Sequence, residues 1–338
     1  ALPGRGSPFL VDDQPIYTLM SEGLSIRPAT ADDLPALVEI YNQSVDFLRL
    51  GSDIPPAQVA AADFAGALGN GGCFCLLEQA GQPVGVLDFS PYAAPGEAHL
   101  NLLMLAAPFR SQGLGQAAFE WLEQELSLLP GLGCIRADVQ ANNPRAQIFW
   151  QRLGFVVSGP PALQPDGSTC LPLLHILEPP FVRFTLCFLT RGQEVLLIHR
   201  RRLPNQGLWN GIGGHLEASE SALQGVLREI REETGCQLES AHFCGLLTWD
   251  GFETPPGGLV IFRAEAPAGC QVGETEEGVL AWKPRQWLFE SADVVSNLHT
   301  VGPLIFSEIP PQVYHFHYHQ GRETGHTFRP LPFFFRIQ

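Results

Sequence analysis

Glu229, Glu232 and Glu233 stand at i, i+3 and i+4 in the stretch ALQGVLREIREET. On a helix this spacing sets all three carboxylates along one face. Neighbouring carboxylates repel one another, so such a face is costly unless a cation sits on it. Hard oxygen ligands suit Mg²⁺ or Mn²⁺, ions that bridge phosphate oxygens and activate water. Arg228 adjoins the cluster and can pair with one glutamate and fix its direction. Gly213 and Gly214, just upstream, let the backbone come close to a metal or a phosphate. The plainer alternative is a solvated acidic helix face with ordinary ion pairs. The two glycines and the upstream Glu217 and Glu220 argue against it.

A helix must carry these groups. Ser219 or Ser221 can cap it, and Leu223, Val226, Leu227 and Ile230 give it an apolar side. The whole segment reads G-x5-E-x7-R-E-U-x-E-E-x-G-U, with U apolar. Gly214, Glu220, Arg228, Glu229, Ile230, Glu232, Glu233, Gly235 and Cys236 fill it in order. This resembles the Nudix box, the signature of hydrolases that cleave nucleoside diphosphates linked to another group. The resemblance implies Glu232 and Glu233 as core metal ligands, with the Gly213 carbonyl as a third. It implies Glu229 as a ligand or general base. Glu277, outside the box, is placed like a late acidic ligand or base of that family; the alternative is a solvated loop acid.

Upstream, Trp209-Asn210-Gly211 resembles the MutT-type branch, which hydrolyses oxidised purine nucleotides such as 8-oxo-dGTP. An Asn side chain donates and accepts, so Asn210 can read a purine edge. Trp209 can stack on a base, although a core position is the preferred reading for it. Arg200, with Arg201 and Arg202, follows a strand and can meet phosphate; a solvated strand end is the alternative. The F-P-G-G ending of CoA diphosphatases is absent, since Gly211-Ile212-Gly213-Gly214 stands there. Phe252 occupies the place of a Pro common in ADP-ribose hydrolases, and the Tyr common in dinucleoside-polyphosphate hydrolases has no counterpart nearby.

A second constellation lies in the amino-terminal half. RSQGLG (110–115) follows an apolar strand and opens a helix, and N–H groups at such a helix start suit a pyrophosphate. Downstream comes N-x-x-A-x-x-F-W-x-x-x-G-F, filled by Asn143, Ala146, Phe149, Trp150, Gly154 and Phe155. The opening IRPAT-DD precedes both. This ordered set resembles the GNAT acetyltransferases. It implies acetyl-CoA as cofactor, held by Leu105, Arg110, Gln112, Gly113, Leu114, Gly115 and Asn143, with its pantetheine arm between splayed parallel strands near 99–106 and 134–140. Glu97 and His99 are the candidate bases; two surface residues at a strand end are the alternative. Trp150 stands where many relatives carry a Tyr that protonates the leaving thiolate, and an indole N–H cannot take that role.

The 338 residues suggest two domains. A net charge of −15 disfavours binding to a nucleic acid polymer. No run of about 18 apolar residues predicts a membrane span. The eight cysteines show no C-x2-C pair and are expected to be free or buried thiols in a reducing cytoplasm. His315, His317 and His319 alternate on one strand face; a polar face is preferred over a metal site.

The expected fold class is α/β (α+β). Residues 1–20 are a leader, unstructured or foreign to the native start near Met20. Residues 21–178 form a GNAT-like mixed-sheet, acetyl-CoA-binding domain, and residues 181–338 a Nudix α/β/α sandwich. The expected activity is metal-dependent cleavage of a nucleoside triphosphate to monophosphate and pyrophosphate, joined to acetylation of an unknown amine. The alternative is hydrolysis of ADP-ribose, a dinucleoside polyphosphate or CoA, with the first domain a CoA-binding regulatory module.

Overall fold

The structure, a computed structural model, describes residues 17–18, 23–50, 54–164, 167–177, 182–217, 220–252, 254–267, 269–270 and 272–336. Backbone proximity divides the chain into two units, 1–124 with 134–176, and 125–133 with 177–338. The expected boundary at 178–181 and the proposed start at Met20 lie outside the described residues. The stretch 125–133 groups with the second unit, where Leu128 is buried in the core, a difference from the sequence division.

The first unit opens with β1 (Tyr17–Thr18), which pairs with β2 (Leu24–Pro28), so part of the expected leader is an edge strand. Thr30 caps a 3-10 turn, Ala31–Asp33, that leads into α1 (Leu34–Asn42); α2 (Val45–Leu48) and α3 (Pro56–Gly69) follow. The hairpin of β3 (Cys73–Gln79) and β4 (Gln82–Ala94) closes through Ala80 and Gly81, both at positive φ. Then come β5 (Glu97–Leu105), α4 (Leu114–Leu126), β6 (Cys134–Gln140), α5 (Pro144–Arg152), β7 (Val156–Val157), β8 (Ala162–Leu163) and β9 (Thr169–Ile176). The sheet order is β1-β2-β3-β4-β5-β6-β9-β7, with β8 on β9. Leu37, Ile40 and Tyr41 of α1 pack with Leu76 and Val86 of the sheet, which fixes β4 and the groups that project from it.

β5 and β6 are parallel, and their pairing runs from Glu97↔Cys134 to Leu100↔Ala137. Beyond that point both strands continue without pairing to each other. The splay expected from sequence therefore opens at Asn101 and Asp138.

In the second unit, β10 (Val182–Arg191) and β11 (Glu194–Arg200) form a hairpin closed by Gly192 and Gln193. β12 (Trp209–Asn210), α6 (Ala222–Thr234), β13 (His242–Asp250), β14 (Gly257–Glu265), β15 (Gly273–Glu274) and β16 (Gly278–Pro284) follow. The chain continues through α7 (Arg285–Glu290), α8 (Asn297–Ile305), β17 (Gln312–His319) and β18 (Arg322–Pro330). The mixed sheet runs β15-β16-β11-β10-β14-β13-β17-β18, with β12 on β11. Ala222, Val226 and Ile230 of α6 bury against one face, with Leu196, Leu246 and Val260. Leu288 of α7 and Leu298, Val301 and Ile305 of α8 bury against the other, with Phe188, Leu197 and Ile261. Helices on both faces of a mixed sheet are the sandwich expected.

The expectation of free thiols throughout is corrected. Cys236, just past the end of α6, is bonded to Cys270 with a Cα–Cα separation of 5.2 Å, because the loop after β14 returns to the helix end. Cys75, Cys134, Cys187 and Cys244 are free thiols. No described helix is long and apolar enough to cross a membrane.

Candidate functional site

Ser221 starts α6 with a reciprocal cap: its Oγ accepts from Gln224 N–H (3.2 Å) and its own N–H donates to Gln224 Oε1 (2.9 Å). The alternative cap, Ser219, lies outside the described residues. Gly235 ends the helix in the left-handed conformation. With the apolar side held to the sheet, Glu229, Glu232 and Glu233 fall along one flank, as their spacing requires.

Arg228 organises that flank. Its guanidinium donates to both oxygens of Glu220 (2.9 and 3.0 Å), to Glu229 Oε1 (2.8 Å) and to the His215 carbonyl (2.9 Å). The pairing holds the Glu220 carboxyl below the ordinary range. It also raises the basicity of Arg228, chiefly through the Glu220 hydrogen bond. Gly214 sits directly against this assembly: a Cβ there would lie 2.5 Å from Glu229 Oε1. Gly213 has φ +154°, and a Cβ would run into the Thr185 carbonyl. The loop passes so close to β10 that backbone excludes a side chain at Gly213, while one at Gly214 would displace the Glu229 carboxyl.

The other acids are not satisfied in this way. Burial pushes the Glu229 carboxyl upward, opposed by Arg228 and reinforced by Glu232 and Glu277. Glu233 is pushed up to about 8, first by burial and then by the charges of Glu277 and Glu229; Arg200 opposes the rise. Glu233 Oε2 is buried without a hydrogen-bond partner among the described residues. A buried carboxylate oxygen facing other carboxylates is the donor set that a hard divalent cation fits. Glu232, by contrast, is mostly open to solvent.

Arg200 and Glu277 belong to the same place. Arg200 Nε donates to the Pro204 carbonyl (3.0 Å), and its NH1 lies 3.7 Å from Glu277 Oε2. Glu277 is anchored as its N–H donates to Thr275 Oγ1 (3.3 Å) and its carbonyl accepts from Arg201 N–H (2.9 Å). Both therefore act on Glu233. Trp209, partly buried, packs edge-on against Trp287 (6.0 Å) and beneath Lys283 Nζ (4.5 Å). Asn210 sits on β12 opposite Ile198, and its Oδ1 accepts from Gly211 N–H (2.9 Å).

In the first unit the residues singled out from the sequence make specific local contacts. Arg110 pairs with Asp46 and donates to the Leu105 carbonyl (2.8 Å), so its guanidinium ties the loop to the end of β5. Gln112 donates to the Pro108 carbonyl (2.9 Å). Ser111 and Gly113 take positive φ, which turns the chain into α4 at Leu114. Gly115 faces Phe149, so its small size serves helix packing. Asn143 caps α5 by accepting from Ala146 N–H (3.1 Å). Trp150 is buried in an aromatic cluster with Phe119, Phe149 and Phe155.

Glu97 is clamped by both arms of Arg136 (2.7 and 2.7 Å), which lowers its pKa and makes it a poor base. His99 is differently placed. Its Nδ1 donates to Asn101 Oδ1 (2.8 Å), because the Asn101 amide group points the other way, to Asp88 Oδ1 (3.1 Å) and Ser90 Oγ (3.2 Å). Nε2 is left as the basic nitrogen, 3.4 Å from Asp138 Oδ2. This chain of groups lies where β5 and β6 part. Asp88 itself is buried, and burial raises its carboxyl to about 6. Sequence reasoning missed it. Its signal was an acid inside the apolar run GVLDF, which is uncommon on a buried strand unless the acid has a partner.

Two parts of the chain match family models: residues 180–299 the NUDIX domain, and residues 37–155 the Acetyltransferase (GNAT) family. The chain thus joins a GNAT acetyltransferase domain to a Nudix domain. Its carboxy-terminal part is similar to the uncharacterized Nudix hydrolase YvcI of Bacillus subtilis (strain 168), 36% identical over 104 residues, or 30% of this chain and 64% of that protein. It is also similar to the NAD-capped RNA hydrolase NudC of Pseudomonas aeruginosa, 34% identical over 92 residues, or 27% of this chain and 32% of that one. Among solved structures, the MutT protein of Bacillus halodurans is 25% identical, with 44% of this chain and 99% of that chain covered and a TM-score of 0.39. The chain spans less than two thirds of the length of YvcI and about a third of NudC.

Proposed function

We propose that the second unit is a Mg²⁺- or Mn²⁺-dependent hydrolase of a nucleoside triphosphate, releasing monophosphate and pyrophosphate, with an oxidised purine such as 8-oxo-dGTP as the favoured base. The observation that carries this reading is Glu233, a half-buried residue whose Oε2 is buried with no partner among the described residues, held among Glu229, Glu232 and Glu277. Glu229, Glu232 and Glu233, with the Gly213 carbonyl, would hold the ion. Bound there, a divalent cation supplies charge to the phosphate oxygens and acidity to a water. The chain's own groups do the rest. Arg228 fixes the direction of Glu229, and Glu229, of raised pKa, is suited to accept a proton from water. Arg200 offers positive charge beside the acids. The Asn210 amide, oriented by the Gly211 N–H, directs Nδ2 as a donor toward a purine acceptor.

A second substrate reading, an ADP-containing diphosphate, is favoured by the similarity to NudC. A metal-dependent product assay over 8-oxo-dGTP, canonical triphosphates, ADP-ribose, dinucleoside polyphosphates, NAD and CoA separates the two. Fastest release of pyrophosphate from 8-oxo-dGTP supports the first; fastest cleavage of a dinucleotide overturns it.

The first unit is, on the same footing, an acetyl-CoA-dependent N-acetyltransferase with His99 as base and Asn101 and Asp88 orienting it. The buried Trp150 donates no proton to the thiolate. The alternative, a CoA-binding module without transfer, is favoured by Trp150 and by the paired state of Glu97. Thiol release from acetyl-CoA over an amine panel decides between them.

A further inference from the structure

A second cluster of ligating groups stands on strands of the second unit's sheet, whereas the glutamates stand on α6. β13 and β17 are parallel, in register Thr248↔His315 and Asp250↔His317. This register brings Asp250, at the end of β13, to both imidazoles. His317 Nδ1 lies 2.9 Å from Asp250 Oδ2, and His315 Nε2 lies 3.3 Å from the same oxygen. One ligating atom from each of the three residues falls within 4.8 Å of the other two. The sequence suggested His319 as the third histidine. The structure replaces it with Asp250, because a register irregularity follows His317 and His319 lies at the exposed strand end.

We propose that Asp250, His315 and His317 form a binding site for a divalent transition-metal ion, distinct from the carboxylate cluster of α6. The donor set decides the class. Two imidazoles and one carboxylate suit borderline cations such as Zn²⁺, Co²⁺ or Ni²⁺, whereas Mg²⁺ prefers oxygen alone. The far nitrogen of His315 is already held: Nδ1 lies 2.8 Å from the buried Thr248 Oγ1. With Nδ1–H donating to that hydroxyl, Nε2 presents a lone pair toward Asp250. Such an outer hydrogen bond is how metal-binding histidines are commonly oriented. Two strands locked in register supply all three ligands, so little ordering is left for the ion to impose. Three protein ligands leave room for water on the ion.

The test uses the full chain, stripped of metal and then kept in excess Mg²⁺ so that the α6 carboxylates are occupied. Co²⁺ is titrated and followed by its visible d–d absorption and by calorimetry. The proposal expects one equivalent bound, retained in Glu232→Gln. His317→Gln and Asp250→Asn should each weaken binding at least about tenfold, and Thr248→Val by about tenfold. X-ray absorption of the wild-type Co²⁺ complex should read two imidazoles, a result independent of how the variants fold. Absence of a Mg²⁺-resistant equivalent, its survival in His317→Gln, its loss in Glu232→Gln, or a spectrum without imidazole would each overturn the site.

Discussion

The acid cluster of the second unit and the polar chain of the first are built on opposite principles. Around Asp88, Asn101 and His99 each polar group has a neighbour of the right kind, and Glu97 is neutralised by Arg136. Around Glu233 the acids Glu229, Glu232 and Glu277 share its sign, Arg200 only partly offsets them, and a buried oxygen has no partner among the described residues. The first arrangement satisfies its groups chiefly from within the chain. The second is destabilising until a cation arrives, and that unmet demand is the stronger pointer to chemistry.

The contrast can be broken most severely at Glu233. Glu233→Gln should lower metal-dependent hydrolysis by at least about a hundredfold. It should also stabilise the metal-free protein. The carboxyl rises from 4.5 to about 8 on folding, so the folded state holds its proton more tightly. Stability without metal is therefore highest below the unfolded value and falls as pH rises toward 8. At pH 8 the variant should gain on the order of a few kcal/mol in urea melts without metal. Equal stability of the two proteins at pH 8 would show that the carboxyl is not strained.

A smaller loss is expected at the backbone. Gly214→Ala places a methyl group against Glu229 and should cut turnover by about tenfold or more while the fold survives. Circular dichroism and turnover together check this; unchanged turnover removes the close-approach argument. Arg228→Lys keeps the charge but loses the fork that grips Glu220 and Glu229. Its expected effect is about tenfold on turnover, with a cost of about 1–3 kcal/mol.

On the other side of the comparison the effects are milder. Asp88 rises from 3.8 to about 6 on folding, so it opposes folding progressively as pH increases through that window. Asp88→Asn should flatten the fall in stability between pH 4 and 6, a change of about 2 kcal/mol. A wild-type melt that is already flat there contradicts the assignment. Glu97→Gln should change acetyl transfer by less than about twofold, since the carboxylate is held in an ion pair and is not free to accept a proton. A large loss would return Glu97 to the role of base.

Much of this was legible in the residues. The i, i+3, i+4 spacing fixed a shared face for the glutamates, and the flanking Ser221 and Gly235 fixed the helix ends. What stayed hidden was pairing between distant segments. The clamping of Glu97 by Arg136, the joining of Cys236 to Cys270, and the meeting of Asp250 with His315 depend on strand register and loop return. No local pattern encodes these contacts. α3 was missed because PAQVAAADFAGALG is rich in alanine and lacks a sharp apolar stripe.

The most direct test of the central claim is pyrophosphate release from 8-oxo-dGTP by wild type and Glu233→Gln, each measured across a Mg²⁺ titration. The account predicts turnover by wild type that rises with Mg²⁺, disappears with chelator, and is lost in the variant at every Mg²⁺ concentration. Wild-type-like turnover by Glu233→Gln, or release that ignores Mg²⁺, would contradict it.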